Sequence, residues 1–160
     1  TALNLLIELE AREPMALCVA LVDGRAREDE LADVAAELLA GLGASAVPAM
    51  LERLDGASDE ALDTYLDLLC NFPGDQRIYQ YTVERFLRLA DRRALYATYL
   101  ARLGDERALE ALDRVVNLTD LDYLDYLEVR NAIEALGGQA PEDMRRFDGD
   151  PAYESLKNLN

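Results

Sequence analysis

Three Leu-Gly pairs, Leu42-Gly43, Leu103-Gly104 and Leu136-Gly137, each close an apolar run of helical periodicity, and Gly74 falls midway between the first two. They set a period of about thirty-one residues, the mark of stacked helical units, none of which buries its own apolar face alone. The chain is therefore expected to fold as a right-handed α-α superhelix, an α-solenoid of about four helix pairs.

Within that period the i, i+3, i+4, i+7 rule gives a nearly unbroken series of helices. Leu3, Leu6 and Ile7 start the first, which ends before Pro14, and a second runs from Pro14 through Leu17, Cys18, Leu21 and Val22 to Gly24. A third, Asp29 to Leu42, carries Leu31, Val34, Leu38 and Leu42 on one side. Ser45 is expected to cap a helix bearing Val47, Met50, Leu51 and Leu54, Ser58 one bearing Leu62, Leu66 and Leu69, and Asp75 one bearing Tyr79, Val83, Phe86 and Leu87. Asp91 and Asp105 are expected to cap the next two, with Leu95, Tyr99 and Leu103 on one and Leu109, Leu112 and Val116 on the other. Thr119 is expected to begin the longest helix, which bears Val129, Ala132, Ile133 and Leu136 and stops at Gly137-Gly138 as a left-handed C-cap would. Asn71-Phe72-Pro73-Gly74 marks a repeat boundary, and after Pro141 come a turn around Met144 and a terminal segment, Ala152 to Leu159. The apolar positions are chiefly Leu and Ala without period-two alternation, so the class is all-α. One domain over 1–160 is expected: an N-terminal helical extension over 1–27, repeats over 28–138 and a C-terminal cap over 139–160.

Thirty-two acidic residues stand against sixteen basic ones, and Lys157 is the only Lys. A formal net charge of −16 repels phosphate, which argues against nucleic acid and anionic membrane surfaces and leaves basic proteins or peptides as partners. Solubility is the plainer reading of the same charge. Histidine is absent, which removes Ser-His and Cys-His nucleophile pairs, His-ligated metals and imidazole proton shuttles from this chain. Cys18 and Cys70 sit in apolar surroundings that suit buried thiols better than a disulfide. No run reaches the roughly 18 consecutive apolar residues of a membrane span, and Ala2 to Glu10 lacks the basic start of a signal peptide, so a cytoplasmic location is expected. Thr1 in place of an initiator Met raises the expectation of a domain excised from a longer chain.

Val129-Arg130-Asn131-Ala132-Ile133-Glu134-Ala135-Leu136-Gly137 resembles the second-helix signature of HEAT repeats, and Leu42-Gly43-Ala44-Ser45-Ala46-Val47-Pro48-Ala49-Met50-Leu51 resembles the turn of bacterial, bilin-lyase-type HEAT-like repeats. Leu103-Gly104-Asp105-Glu106-Arg107-Ala108-Leu109-Glu110-Ala111-Leu112 is similar again, so the resemblance covers roughly 28–138. It implies a HEAT-like solenoid whose second helices line a concave face, and an Arg130 that ties units together through Asp113 or an acid of the last helix. It implies no particular activity, because scaffolds, assembly factors and enzymes share the architecture. Leu62-Asp63-Thr64-Tyr65 and Tyr96-Ala97-Thr98-Tyr99 replace the Val-Arg-x-Ala positions and mark where something specific to this chain would lie.

The candidate binding residues follow from those helices. Tyr65, Tyr96, Tyr99 and Tyr126 are the tyrosines that would supply contact area on the concave face, the alternative being rings packed inside with hydroxyls at the rim. Asp59, Asp63 and Asp67 at i, i+4, i+8, and Asp122, Asp125 and Glu128 at successive i+3 steps, would make that face acidic; otherwise they form a solvated stripe with helix-start acids offsetting the macrodipole. Asp148-Gly149-Asp150 lacks the ligand spacing of a calcium loop, and no catalytic, cofactor or metal-binding set is expected. The expected function is a non-enzymatic scaffold or adaptor for a protein or basic peptide, with homodimer formation through the apolar first helix left open. The alternatives are a lyase- or isomerase-type small-molecule binder and a structural or dimerisation part of a longer chain.

Overall fold

A computed structural model of the chain describes residues 12–24, 29–118, 121–142 and 144–157. The expected first helix around Leu3, Leu6 and Ile7, the expected helix start at Thr119, and Leu159 lie outside the described residues. Among the described residues every regular element is helical, so the class is all-α. The chain divides into two compact units, Thr1–Phe72 and Pro73–Asn160, and the division falls inside the Asn71 to Gly74 breaker.

The first unit holds α1 (Arg12–Asp23), α2 (Glu30–Leu42), α3 (Val47–Arg53) and α4 (Asp59–Leu69). Helix α1 packs on α2 and α3 on α4, and across the pairs α2 meets α4 while α1 meets α3. Residues 12–23, expected within an N-terminal extension, thus form the first member of a pair. Asp29 caps α2 by accepting from the amides of Leu31 and Ala32, and Ser58 Oγ caps α4 by accepting from Ala61. Ser45 does not cap α3. The backbone passes through a 3-10 turn at Gly43–Ala46, so the Ser45 hydroxyl donates back to the Leu42 carbonyl at 2.7 Å. Pro48 sits in the first turn of α3, where no intrahelical donor is lost.

By length and composition, the 27 residues Glu30–Gly56 match a membrane-spanning segment, with a mean hydropathy of 1.6 over their most apolar 18 residues, although no unbroken apolar run reaches that length. Its path is interrupted at Gly43, whose φ is 64°, and its Ala32, Ala35, Leu39, Ala46, Val47 and Met50 supply the core of the first unit.

The second unit holds α5 (Gln76–Arg88), α6 (Arg93–Leu103), α7 (Ala108–Val116), α8 (Tyr123–Ala135) and the short α9 (Pro151–Lys157). The pairing repeats: α5 with α6, α7 with α8, and across the pairs α6 with α8 and α5 with α7, while α9 rests on α8. Asp75 caps α5 through the Arg77 amide. Asp91 lies inside a 3-10 turn, Ala90–Arg92, and is not the cap of α6. Helix α8 begins after Asp122 and has thirteen residues, no longer than α2 or α5. Its end is the expected left-handed cap: Gly137 takes φ 82°, its amide bonds the Glu134 carbonyl, and that of Gly138 bonds the Ile133 carbonyl. A Cβ on Gly138 would stand 2.8 Å from side-chain carbons of both Ile133 and Leu109, so the second glycine is where α7 and the end of α8 come together.

All four glycines of the sequence period, Gly43, Gly74, Gly104 and Gly137, have positive φ. The period is therefore a recurrence of backbone geometry as well as of letters. One further bond spans it: Arg107 Nη1 donates to Gln76 Oε1 at 2.9 Å, thirty-one positions apart, and the Arg107 guanidinium lies 4.4 Å from the Tyr79 ring centre.

Candidate functional site

Asp63 and Asp67 stand one turn apart on the solvent side of α4, whose opposite side buries Leu62, Tyr65, Leu66 and Leu69. On α2, Asp33 and Glu37 repeat the same i, i+4 spacing over a helix anchored by Ala32, Ala35 and Leu39. Between these two helices, each the second of its pair, runs an open groove of about 550 Å³. Five carboxylates line it, Asp33 and Glu37 from α2 and Glu60, Asp63 and Asp67 from α4, over small or apolar neighbours, Ala36, Thr64 and Leu68. Among the described residues no three acidic or other ligating side chains come together as a metal site would require. The groove is a distributed negative field rather than a chelate, and salt would screen it over about 10 Å.

Asp33, Glu37 and Glu60 were not singled out in the sequence. The i, i+4 pair on α2 carried the same signal as the row on α4, but adjacency of α2 and α4 is a tertiary fact.

The tyrosines are a correction. Tyr65, Tyr96, Tyr99 and Tyr126 are all buried, so they supply no contact area for a partner. An aromatic ring among leucines on the apolar side of a helix goes inside when its hydroxyl reaches a partner at the rim. The Tyr65 hydroxyl lies 2.7 Å from Asp23 Oδ1 and 3.1 Å from the Val19 carbonyl, tying α4 to α1. Burial first, then the Asp23 hydrogen bond and charge, push its pKa well up, so it stays a proton donor. The Tyr126 hydroxyl donates to the Pro141 carbonyl at 2.6 Å, and its ring packs with Tyr123 and Phe147 under the Arg146 guanidinium. Arg102 lies over the ring of Tyr99.

The second acidic row belongs to the second unit. Asp122 accepts from the Asp125 amide at 2.8 Å and caps α8, so the helix-start reading holds for it. Asp125 is half-buried, and burial, then the neighbouring Asp122 charge, raise its pKa against the opposing pull of Arg93. Arg130 donates to Glu134 at 2.7 Å within α8, an acid of its own helix. Asp59 opens α4 outside the groove lining.

No protein-family model, curated protein or solved structure matches the chain.

Proposed function

We propose that the chain is a non-enzymatic protein-binding module of HEAT-like repeat type that takes a basic protein or peptide segment on the acidic groove between α2 and α4, and that it works in the cytoplasm. The observation that carries this reading is the meeting of five carboxylates from two adjacent second helices around a floor of small and apolar side chains. The unit that holds them has fifteen acidic residues against four basic ones. A field of that sign raises encounter rates with a cationic segment and fixes its register. The repeat framework draws support from the recurring glycines, from the pairing pattern common to both units and from the Arg107 to Gln76 bond. Nucleic acid and anionic membranes fit such a surface poorly.

The test is binding of a fluorescent oligoarginine peptide, read by anisotropy at low and high salt. Asp63→Arg with Asp67→Arg should weaken it at least about tenfold, roughly 1.4 kcal/mol, while the charge-matched pair Asp113→Arg with Glu128→Arg, at exposed positions of α7 and α8, should change it little. Equal losses from the two changes would mean that the peptide reads net charge alone and would overturn the groove.

A further inference from the structure

The apolar stripe that the sequence gives α2 is not the side the fold buries. Ala32, Ala35 and Leu39 go inside, while Leu31 remains 67% exposed, Val34 48% exposed and Leu38 half-buried. At 100° per residue, Leu31, Val34 and Leu38 lie about a quarter-turn around α2 from Glu30, Asp33 and Glu37. The exposed surface of α2 thus carries an apolar stripe beside an acidic one, and the acidic stripe leads into the groove completed by α4. Single exposed leucines are ordinary; two large apolar side chains at helical spacing, flanked on one side by carboxylates, make a pattern.

We propose that this surface docks a basic amphipathic helix of a partner protein, with Leu- or Met-type side chains set against Leu31 and Val34 and Arg or Lys side chains a quarter-turn away facing Glu30, Asp33 and Glu37. The inference rests on the acidic-groove reading and narrows it from any basic segment to a helical one with an apolar side. Apolar contact supplies affinity in proportion to the area removed from water, and the charges fix register and orientation. A second copy of this chain is the poorer occupant, because it brings the same acidic excess to the same face.

The experiment uses two synthetic peptides of identical Leu and Arg composition, one arranged as an amphipathic helix and one scrambled to destroy the apolar side. Each is titrated against the wild-type chain and against Leu31→Asp/Val34→Asp. Both positions are exposed, and Asp at position 31, in the first turn of α2, suits the helix dipole, so the fold should survive; Leu31→Ser/Val34→Ser is the milder companion. The amphipathic peptide should bind about tenfold more tightly than the scrambled one, and the Asp variant should remove that advantage. The sign discriminates, since added carboxylates strengthen a purely electrostatic contact and weaken an apolar one. Equal binding of the two peptides, both tightened by the Asp variant, would overturn the helix proposal and leave the acidic groove standing. No binding of either peptide would overturn both. Sedimentation showing a wild-type dimer that the Asp variant abolishes would assign the surface to a second copy and overturn the proposal.

Discussion

The two units share one plan, two helix pairs with first helices adjacent and second helices adjacent, yet they differ in how much charge of each sign they carry. Over 1–72 the sequence has fifteen acidic and four basic residues and one tyrosine; over 73–160 it has seventeen acidic, twelve basic and seven tyrosines. In the second unit carboxylates are put to structural use. Asp75 and Asp105 are held by Arg77 and Arg107, Glu84 and Glu134 by Arg88 and Arg130, and Asp150 accepts from the amides of Tyr123, Ala152 and Tyr153 at once. Arginines also lie over Tyr79, Tyr81, Tyr99 and Tyr126. In the first unit an aliphatic core carries acids outward, into the groove. The difference teaches that net charge is a poor guide to a functional surface; what matters is which helices carry the acids and which of those helices are neighbours.

The sharpest way to break the contrast is Tyr126→Ala. Removing a ring packed among Tyr123, Phe147 and the Arg146 guanidinium should cost about 3–5 kcal/mol, read as lost amide-exchange protection along α8. A cost below about 1 kcal/mol would mean that the second unit does not depend on its aromatic core. Tyr65→Phe comes next. It leaves the Asp23 carboxylate with Arg53 but without its shortest donor, and should cost about 1 kcal/mol in urea unfolding; no change would sever the α1 to α4 tie from stability.

Acid titration tests the paired carboxylates. Hydrogen bonds from Arg77 and Arg107 lower the pKa values of Asp75 and Asp105, and backbone amides, of Tyr153 first and then Tyr123, lower that of Asp150. Lowered folded-state values contribute stability that is fully present above the ordinary carboxylate range, near about pH 4, and lost as pH falls through the folded values. Thermal melts from neutral to acid pH should show that loss, and Asp75→Asn with Asp105→Asn should flatten it. Asp125 runs the other way. Its raised pKa makes the ionised form less favourable in the fold, so Asp125→Asn should stabilise slightly at neutral pH, and the gain should vanish once the carboxyl is protonated.

Much of the fold was legible because it rests on local chemistry. Four glycines at positive φ, Ser58 and Asp75 as caps, and the breaker before Asp75 act within a few residues of themselves. The buried sides of α2 and α5 were harder. The sequence pointed to Leu31 and Val34, and to Tyr79 and Val83 beside Phe86, whereas the fold buries Ala32, Ala35 and Leu39, and Ile78 and Thr82 with the expected Phe86. On α2 large side chains mark an apolar side strongly, but close packing takes Ala32 and Ala35, and alanine is nearly silent in a periodicity count; on α5 the buried side includes Thr82, whose hydroxyl is satisfied by the Ile78 carbonyl and which an apolar count passes over. Asp63 and Asp67 were found because spacing alone puts them on one side of α4; their partners on α2 required knowing which helices are neighbours. Tyrosine, half apolar and half polar, gave no sign of which way it would turn.

Asp75-Gln76-Arg77 and Asp105-Glu106-Arg107 form the same turn, and the later arginine reaches back to the earlier glutamine. In the second unit the contact between its two first helices thus includes a triplet that recurs at a thirty-residue step, at the start of α5 and just ahead of α7. The middle residue differs between the two, Gln76 and Glu106, so the earlier triplet presents a neutral acceptor to the later arginine while the later one presents a carboxylate.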